Sequence, residues 1–319
     1  MNLKELRADI ASEVEAILAI DFVVNVTNTQ YVPHSDDAAI TFPNLDAKRQ
    51  SSKVIETCVL YIDIRRSTEL NLQHRAQTVS RLYSSFVRAM VRCAEQYNGH
   101  VRGIIGDRLM VLYDVEDCFS NAVHTAFAMN TVAKHIINKY FKRNEVECGI
   151  GIDFGRMLVT KTGFRRHGVQ RHNYRSLVWL GRPANVASKL TDIANKGATY
   201  RDEPAVHVGR MYGSEALWTT EPVETFLPKL EVEYLGTGRL FRHSDAYVFG
   251  FFPTTRRVAI TPDSPPILMT RVVYDGYRSK NPTAKSIVNN WIKRCDVIVP
   301  GYSDVVFGGD VTFVELQGP

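Results

Sequence analysis

The sequence predicts an α+β fold, with helices packed on a mainly antiparallel sheet. Three observations carry this. Short apolar runs alternate with two long stretches of helical periodicity. Two of those runs meet at Gly106-Asp107, a tight turn that joins antiparallel strands as a hairpin. The 319 residues are enough for one large domain plus a smaller one, at a hydrophobic content of 45% that suits a buried core.

Taken in order, residues 3–20 read as an amphipathic helix with Leu3, Leu6, Ile10, Val14, Ile17 and Leu18 on one stripe. It must pack on the main domain or pair with another copy, and pairing is the expectation. A polar stretch over 25–52 reads as a loop or extended arm. Residues 54–64 form a strand, and 76–97 a helix with Val79, Leu82, Phe86, Met90 and Val91 inside, ended by Asn98-Gly99. The hairpin uses 101–105 and 109–113. A second long helix covers 117–140.

Strands follow at 146–154 and 157–160 around Gly155, then a basic insertion over 161–175 and a strand at 177–180. A helix over 182–195 has Pro183 in its first turn. Strands at 206–208, 230–235 and 246–252 complete the main body, so that 53–253 forms one domain between the 1–52 arm and a 254–319 extension. Pro262–Pro266 marks a linker. Beyond it, a helical stretch near 286–292 and strands at 297–300 and 305–316 carry no recognisable chemistry.

The net charge, 39 − 34 = +5, suits an anionic ligand without requiring nucleic acid. The five cysteines have no metal-ligand spacing and read as buried free thiols. The opening residues lack the continuous apolar core of a signal peptide, and nothing reaches the ~20 apolar residues that span a bilayer. A cytosolic protein without membrane contact is expected.

Two aspartates concentrate the chemistry: Asp63 ending Cys58-Val-Leu-Tyr-Ile-Asp63, and Asp107 in the hairpin turn. On neighbouring strands their carboxylates lie about 5 Å apart laterally, close enough to share two divalent cations roughly 3.5–4 Å apart for displacement at phosphorus. Mg²⁺ and Mn²⁺ favour such acids together with phosphate oxygens. As isolated residues they are ordinary strand-end carboxylates. Arg65, Arg66, Ser67 and Thr68 follow at a strand-to-helix turn, where backbone amides and guanidinium groups can bind phosphate; the arginines can equally solvate the turn. Asn185 and Lys189, four apart, share one helical face with Asp192, otherwise a plain solvated surface.

Residues 54–252 resemble the class III nucleotidyl cyclase catalytic domain. The resemblance lies in Leu60-Tyr-Ile-Asp63-Ile-Arg, Gly103-Ile-Ile-Gly106-Asp107, Gly149-Ile-Gly151-Ile-Asp-Phe-Gly155 and Gly181-Arg-Pro-Ala-Asn185-Val-Ala-Ser-Lys189-Leu, in that order. It implies a ferredoxin-like core acting as a head-to-tail homodimer on a nucleoside triphosphate. Asp63, the Ile64 carbonyl and Asp107 would bind two Mn²⁺ or Mg²⁺ ions, and the partner chain's Asn185 and Lys189 would complete the site. The ribose 3′-oxygen would then attack the α-phosphate and expel diphosphate.

The departures from that pattern are informative. Lys189 stands where the family has arginine, and lysine cannot make a forked phosphate contact; Arg182 or an arginine of 165–175 is a possible substitute. Gly103 and Val178 occupy the positions that read a purine edge, and neither can do so by hydrogen bonding. Tyr61, on the same strand face as Asp63, and Arg108 are candidates for the base pocket. Together these features resemble the pyrimidine cyclases of bacterial Pycsar antiphage systems. That resemblance implies cyclic UMP from UTP, made for a separate effector protein. Cyclic CMP, a purine (adenylate) cyclase and an inactive nucleotide-binding module follow as alternatives.

Overall fold

The structure is a computed structural model that describes residues 2–141, 146–162, 177–236 and 238–317. Two compact units divide the chain: residues 1–196 with 264–319, and residues 197–263. The basic insertion expected over 161–175 lies almost wholly outside the described residues.

The first unit opens with α1 (Leu3–Leu18). Asn2 caps it, its side chain accepting from the Lys4 and Glu5 amides while Glu5 accepts from the Asn2 amide. None of its residues is buried, and Leu3 and Leu18 are about four-fifths exposed, so the apolar stripe stays open. The expected arm contains a strand: β1 (Val23–Asn28) lies parallel to the first residues of β2 (Arg49–Ile64). The strand expected at 54–64 therefore begins earlier, at Arg49. After β2 come α2 (Ser67–Gln73), which is too short to give a clear periodic signal, and α3 (Ala76–Gln96).

The hairpin is β3 (Gly99–Ile105) and β4 (Arg108–Tyr113), turning through Gly106 at φ +64°. The helix expected over 117–140 divides into α4 (Cys118–His135) and a 3-10 turn at Ile137–Tyr140. One strand, β5 (Cys148–Thr160), replaces the two expected around Gly155. That glycine, at φ +153°, keeps its place in an unbroken pairing with β2. Then follow β6 (Val178–Leu180) and α5 (Arg182–Ile193).

The second unit holds β7 (Thr199–Tyr212), β8 (Glu215–Pro222), α6 (Val223–Phe226), β9 (Leu230–Leu235), β10 (Gly238–His243) and β11 (Val248–Thr261). An antiparallel sheet ordered β11-β7-β8 encloses Val206, Val208 and Phe226, and β9 pairs with β10. The strands expected at 206–208 and 246–252 are thus parts of longer ones. β8 and β10 carry no alternating burial signal, because their residues are mostly exposed on both faces.

The tail rejoins the first unit. β12 (Ile267–Thr270) pairs in parallel with β5 and is followed by α7 (Arg271–Lys280), α8 (Lys285–Val288), β13 (Lys293–Cys295) and β14 (Val306–Gly309). Only a short part of the expected 305–316 strand forms. Residues 297–300 form no strand; Val299 makes an isolated bridge to Tyr302.

The described main sheet runs β13-β14-β12-β5-β2-β4-β3, with β1 and β6 attached to β2 and β5. Its pairings are antiparallel except β1–β2 and β12–β5. Cys58, Leu60, Ile62, Ile150 and Ile152 meet α3, α4 and α7 on one side of the sheet. The other face, with Val59, Met110, Met157 and Tyr61, is covered by α5 through Ala184 and Ala187, together with Val32 and Ile40.

The phrase Gly149-Ile-Gly151-Ile-Asp153-Phe-Gly155 follows from this layering. Strand alternation sends Ile150 and Ile152 into the helical core and turns Gly149, Gly151, Asp153 and Gly155 toward the α5 side. A Cβ at Gly151 would stand 2.2 Å from the Ala187 carbonyl oxygen and 2.4 Å from the Thr191 amide nitrogen. Only glycine lets α5 lie this close to the sheet. No helix among the described residues is long and apolar enough to cross a membrane. All five cysteines are free, four of them buried.

Candidate active site

Asp63 is the penultimate residue of β2, and Asp107 completes the turn that leads into β4, its paired strand. Strand pairing therefore brings together two acids that lie 44 positions apart in number. Asp107 Oδ2 accepts the Ile64 amide at 3.2 Å, which pins the hairpin turn to the end of β2. Burial first, then the charge of Asp63 beside it, pushes the Asp107 carboxyl up to about 6. Two carboxylates held this close call for a cation.

Arg108 supplies part of that charge. Its Nη2 donates to Asp63 Oδ2 at 2.6 Å and its Nε to the same oxygen at 3.2 Å. The guanidinium also donates to Ser188 Oγ at 2.9 Å and to Asp192, both on α5. It thus ties the acid end of β2 to the last turn of α5. Ser188 and Asp192 had no assigned role in sequence; their spacing of four on one helical face was the available signal.

The residues after Asp63 are placed differently from a simple phosphate cradle. Arg65 turns toward the end of α5, donating to the carbonyl oxygens of Thr191 and, at 3.4 Å, Asp192. Burial lowers its pKa, and the glycine at 149 leaves the room its side chain fills. A cation at the helix C-terminus satisfies carbonyls that have no intrahelical donor. Arg66, at φ +54°, pairs with Glu147 at 2.9 Å. Ser67 and Thr68 form the first turn of α2.

Among the base-pocket candidates, Tyr61 and Gly103 come together around Met110. The Tyr61 hydroxyl donates to Met110 Sδ at 3.0 Å, and Gly103 pairs with Met110 across the hairpin beside a bulge. Burial raises the Tyr61 pKa, keeping the phenol neutral. Val178 sits elsewhere: it pairs with Thr160, whereas Asp63 pairs with Gly149 at the opposite end of β5. At about 3.3 Å per residue, that is roughly 35 Å along one strand. Asn185 is exposed on α5, roughly 10 Å along the helix from Asp192 at about 1.5 Å per residue. Lys189 donates to the Pro300 carbonyl at 2.8 Å.

The acids and the adjacent backbone carbonyl are hard oxygen donors of the kind that suit Mg²⁺ or Mn²⁺. Among the described residues, no group of three or more His, Cys, Asp or Glu side chains forms a closed metal cage. A two-acid site would need further oxygen ligands from substrate phosphates or water. Asp107 also sets a pH dependence. Between 3.8 and about 6 the folded chain keeps a proton that the unfolded chain releases, so metal-free stability should fall as pH rises through this window. If Asp107 ligates a divalent ion, Mn²⁺ should raise the melting temperature more at about pH 7.5 than at about pH 4.5, because the carboxyl is ionised at the higher pH. Equal shifts at both pH values would contradict this.

The sequence profile described as the adenylate and guanylate cyclase catalytic domain matches residues 49–210. Similar proteins include a uridylate cyclase of Gulbenkiania mobilis, 28% identical over 197 residues, which are 56% of this chain and 70% of that protein. A uridylate cyclase of Burkholderia cepacia is 24% identical over 176 residues, 54% and 71% of the two chains. A cytidylate cyclase of Staphylococcus aureus is 25% identical over 123 residues, 36% and 29% of the two chains.

Proposed function

This chain belongs to the adenylate and guanylate cyclase catalytic domain family, and from that premise we propose that it converts UTP to 3′,5′-cyclic UMP and diphosphate. The observation that carries the reaction is the adjacent acid pair, Asp63 and Asp107, with the Asp107 carboxyl raised to about 6 beside its neighbour. The choice of base is supported by Gly103, which offers no side-chain hydrogen bond to a purine, and by the uridylate cyclases this chain resembles; Val178 lies at the other end of β5 and does not line the pocket around Tyr61 and Met110. Tyr61, whose hydroxyl is held at Met110, is the group expected to limit the pocket to a single ring.

Asp63, Asp107 and the Ile64 carbonyl would hold the divalent ions. When bound, these acidify the ribose 3′-hydroxyl and offset charge on the α-phosphate. The chain's own residues orient the reactants. Arg108 fixes the Asp63 carboxylate through two donors, so its free lone pairs keep one direction. In the substrate, the 3′-oxygen bonds to the α-phosphorus, the bond to the β-phosphate bridging oxygen breaks, and diphosphate leaves with that electron pair. The hydroxyl proton passes to solvent.

Asn185 stands about 10 Å along α5 from Asp192, which shares Arg108 with Asp63; a head-to-tail homodimer would bring Asn185 of one chain to the acids of the other. The cyclic product would act on a separate effector protein, in the manner of an antiphage alarm. Pure protein given UTP and Mn²⁺ should release cyclic UMP and diphosphate in equal amounts. Linear UMP, or no product, would defeat the proposal. CTP is the second candidate, on the strength of the similar cytidylate cyclase.

A further inference from the structure

We propose that Arg182, rather than Lys189, is the cation of α5 that contacts substrate phosphate, and that Asp153 and Tyr302 of the tail hold it in position. This rests on the cyclase reading above.

Arg182, Asn185 and Lys189 fall at i, i+3 and i+7 of α5, one exposed face. Lys189 is already engaged. Its ammonium donates to the Pro300 carbonyl at 2.8 Å, and an added Cβ at Gly301, which sits at φ +77°, would stand 3.4 Å from its Nζ. The tail turn therefore closes around the lysine. Val299 and Val306 fasten this region to Val186 and Leu190 of α5.

Arg182 is differently supported. Its side chain is 57% exposed, Nη1 lies 3.6 Å from Asp153 Oδ2, and its guanidinium carbon stands 5.5 Å from the Tyr302 ring centre. That ring is fixed at its far end, where the Tyr302 hydroxyl accepts the Arg271 amide at 3.2 Å and donates to the Val305 carbonyl at 3.4 Å. Asp153 is fully buried. Its Oδ1 accepts Thr270 at 2.7 Å, while Oδ2 has no hydrogen-bond partner among the described residues.

A buried carboxyl with an unfilled oxygen is costly, so its retention calls for a task. Aiming the arginine above it is such a task. Asp153 below and Tyr302 beside leave the outer edge of the guanidinium to solvent, and its planar fork matches phosphate in a way an ammonium does not. The arginine that the cyclase pattern has four residues after the asparagine is thus replaced from three residues before it. The same arrangement gives the C-terminal segment a role: Asp153 and Tyr302 are positioning residues, acting through Arg182.

The test uses the full chain and the non-cleavable analogue α,β-methylene-UTP with Mn²⁺, with binding measured by calorimetry and turnover measured on UTP. R182A should weaken analogue binding by about 10- to 100-fold, the range for a lost charge-assisted contact. R182K should recover only part of it, and K189A should cost less than R182A. D153N and Y302L should each weaken binding by about 3- to 10-fold in the wild-type background, yet add nothing in R182A.

Effects of D153N that persist undiminished in R182A would show a merely structural role and overturn the assignment, as would wild-type binding by R182A. Y302L keeps the test available where D153N does not fold. A wild-type chain that binds the analogue but cyclises no triphosphate would sink the cyclase reading while leaving the Arg182 result to stand on binding. A wild-type chain that binds no analogue would overturn both.

Discussion

Asp63→Ala protein is expected to lose cyclisation by about 10³-fold or more while keeping its fold. Removing one preorganised charge-stabilising group typically costs 10²–10³-fold, and Asp63 would serve both ions of a two-metal site. Stability should change by only about 1 kcal/mol, because two effects oppose. Arg108 loses its 2.6 Å partner but keeps Ser188 and Asp192. Asp107, freed from the neighbouring charge that helps raise its pKa, ionises more easily. Product chromatography with thermal melting separates the two quantities. Activity within ten-fold of wild type would remove Asp63 from the chemistry.

Gly151→Val is expected to cause the largest loss of stability, at least about 3 kcal/mol, the upper part of the range for overpacking a filled interior. The new Cβ would meet the Ala187 oxygen at 2.2 Å and the Thr191 amide at 2.4 Å, both backbone atoms of α5 that no rotamer change can clear. The helix would have to lift from the sheet, carrying Ser188 and Asp192 away from Arg108 and Thr191 away from Arg65. Urea denaturation measures the loss. A change below about 1 kcal/mol would mean that α5 is not held against β5 as described.

The elements legible in the sequence are those whose burial has one period. α3 buries Leu82, Phe86 and Met90 at helical spacing, and β5 alternates isoleucine with glycine or aspartate, so both announce themselves locally. β1 does not, because its six residues are all exposed and its pairing with β2 depends on a distant register. The tail strand β12 is four buried residues, and its link to β5, marked by Thr270 on Asp153, spans 117 positions. No local pattern reports such a contact.

The candidate site divides the same way. Asp63 and Asp107 were readable because a strand ending in aspartate and a Gly-Asp hairpin are local signals. The side-chain directions of Arg65 and Arg108 were not. Both are long cations whose aim is decided by where the last turn of α5 lands, and that depends on Gly149 and Gly151 leaving space. Lys189 could be read as a departure from the cyclase pattern, but its partner Pro300 lies 111 positions away.

The central claim is that the acids perform an intramolecular cyclisation on a pyrimidine nucleotide. It is tested most directly by giving the pure protein an equimolar mixture of UTP, CTP, ATP and GTP with Mn²⁺ and resolving the products by mass spectrometry. Cyclic UMP should dominate, with cyclic CMP second, and all products should vanish in Asp63→Ala. Cyclic AMP or cyclic GMP as the main product would contradict the assignment.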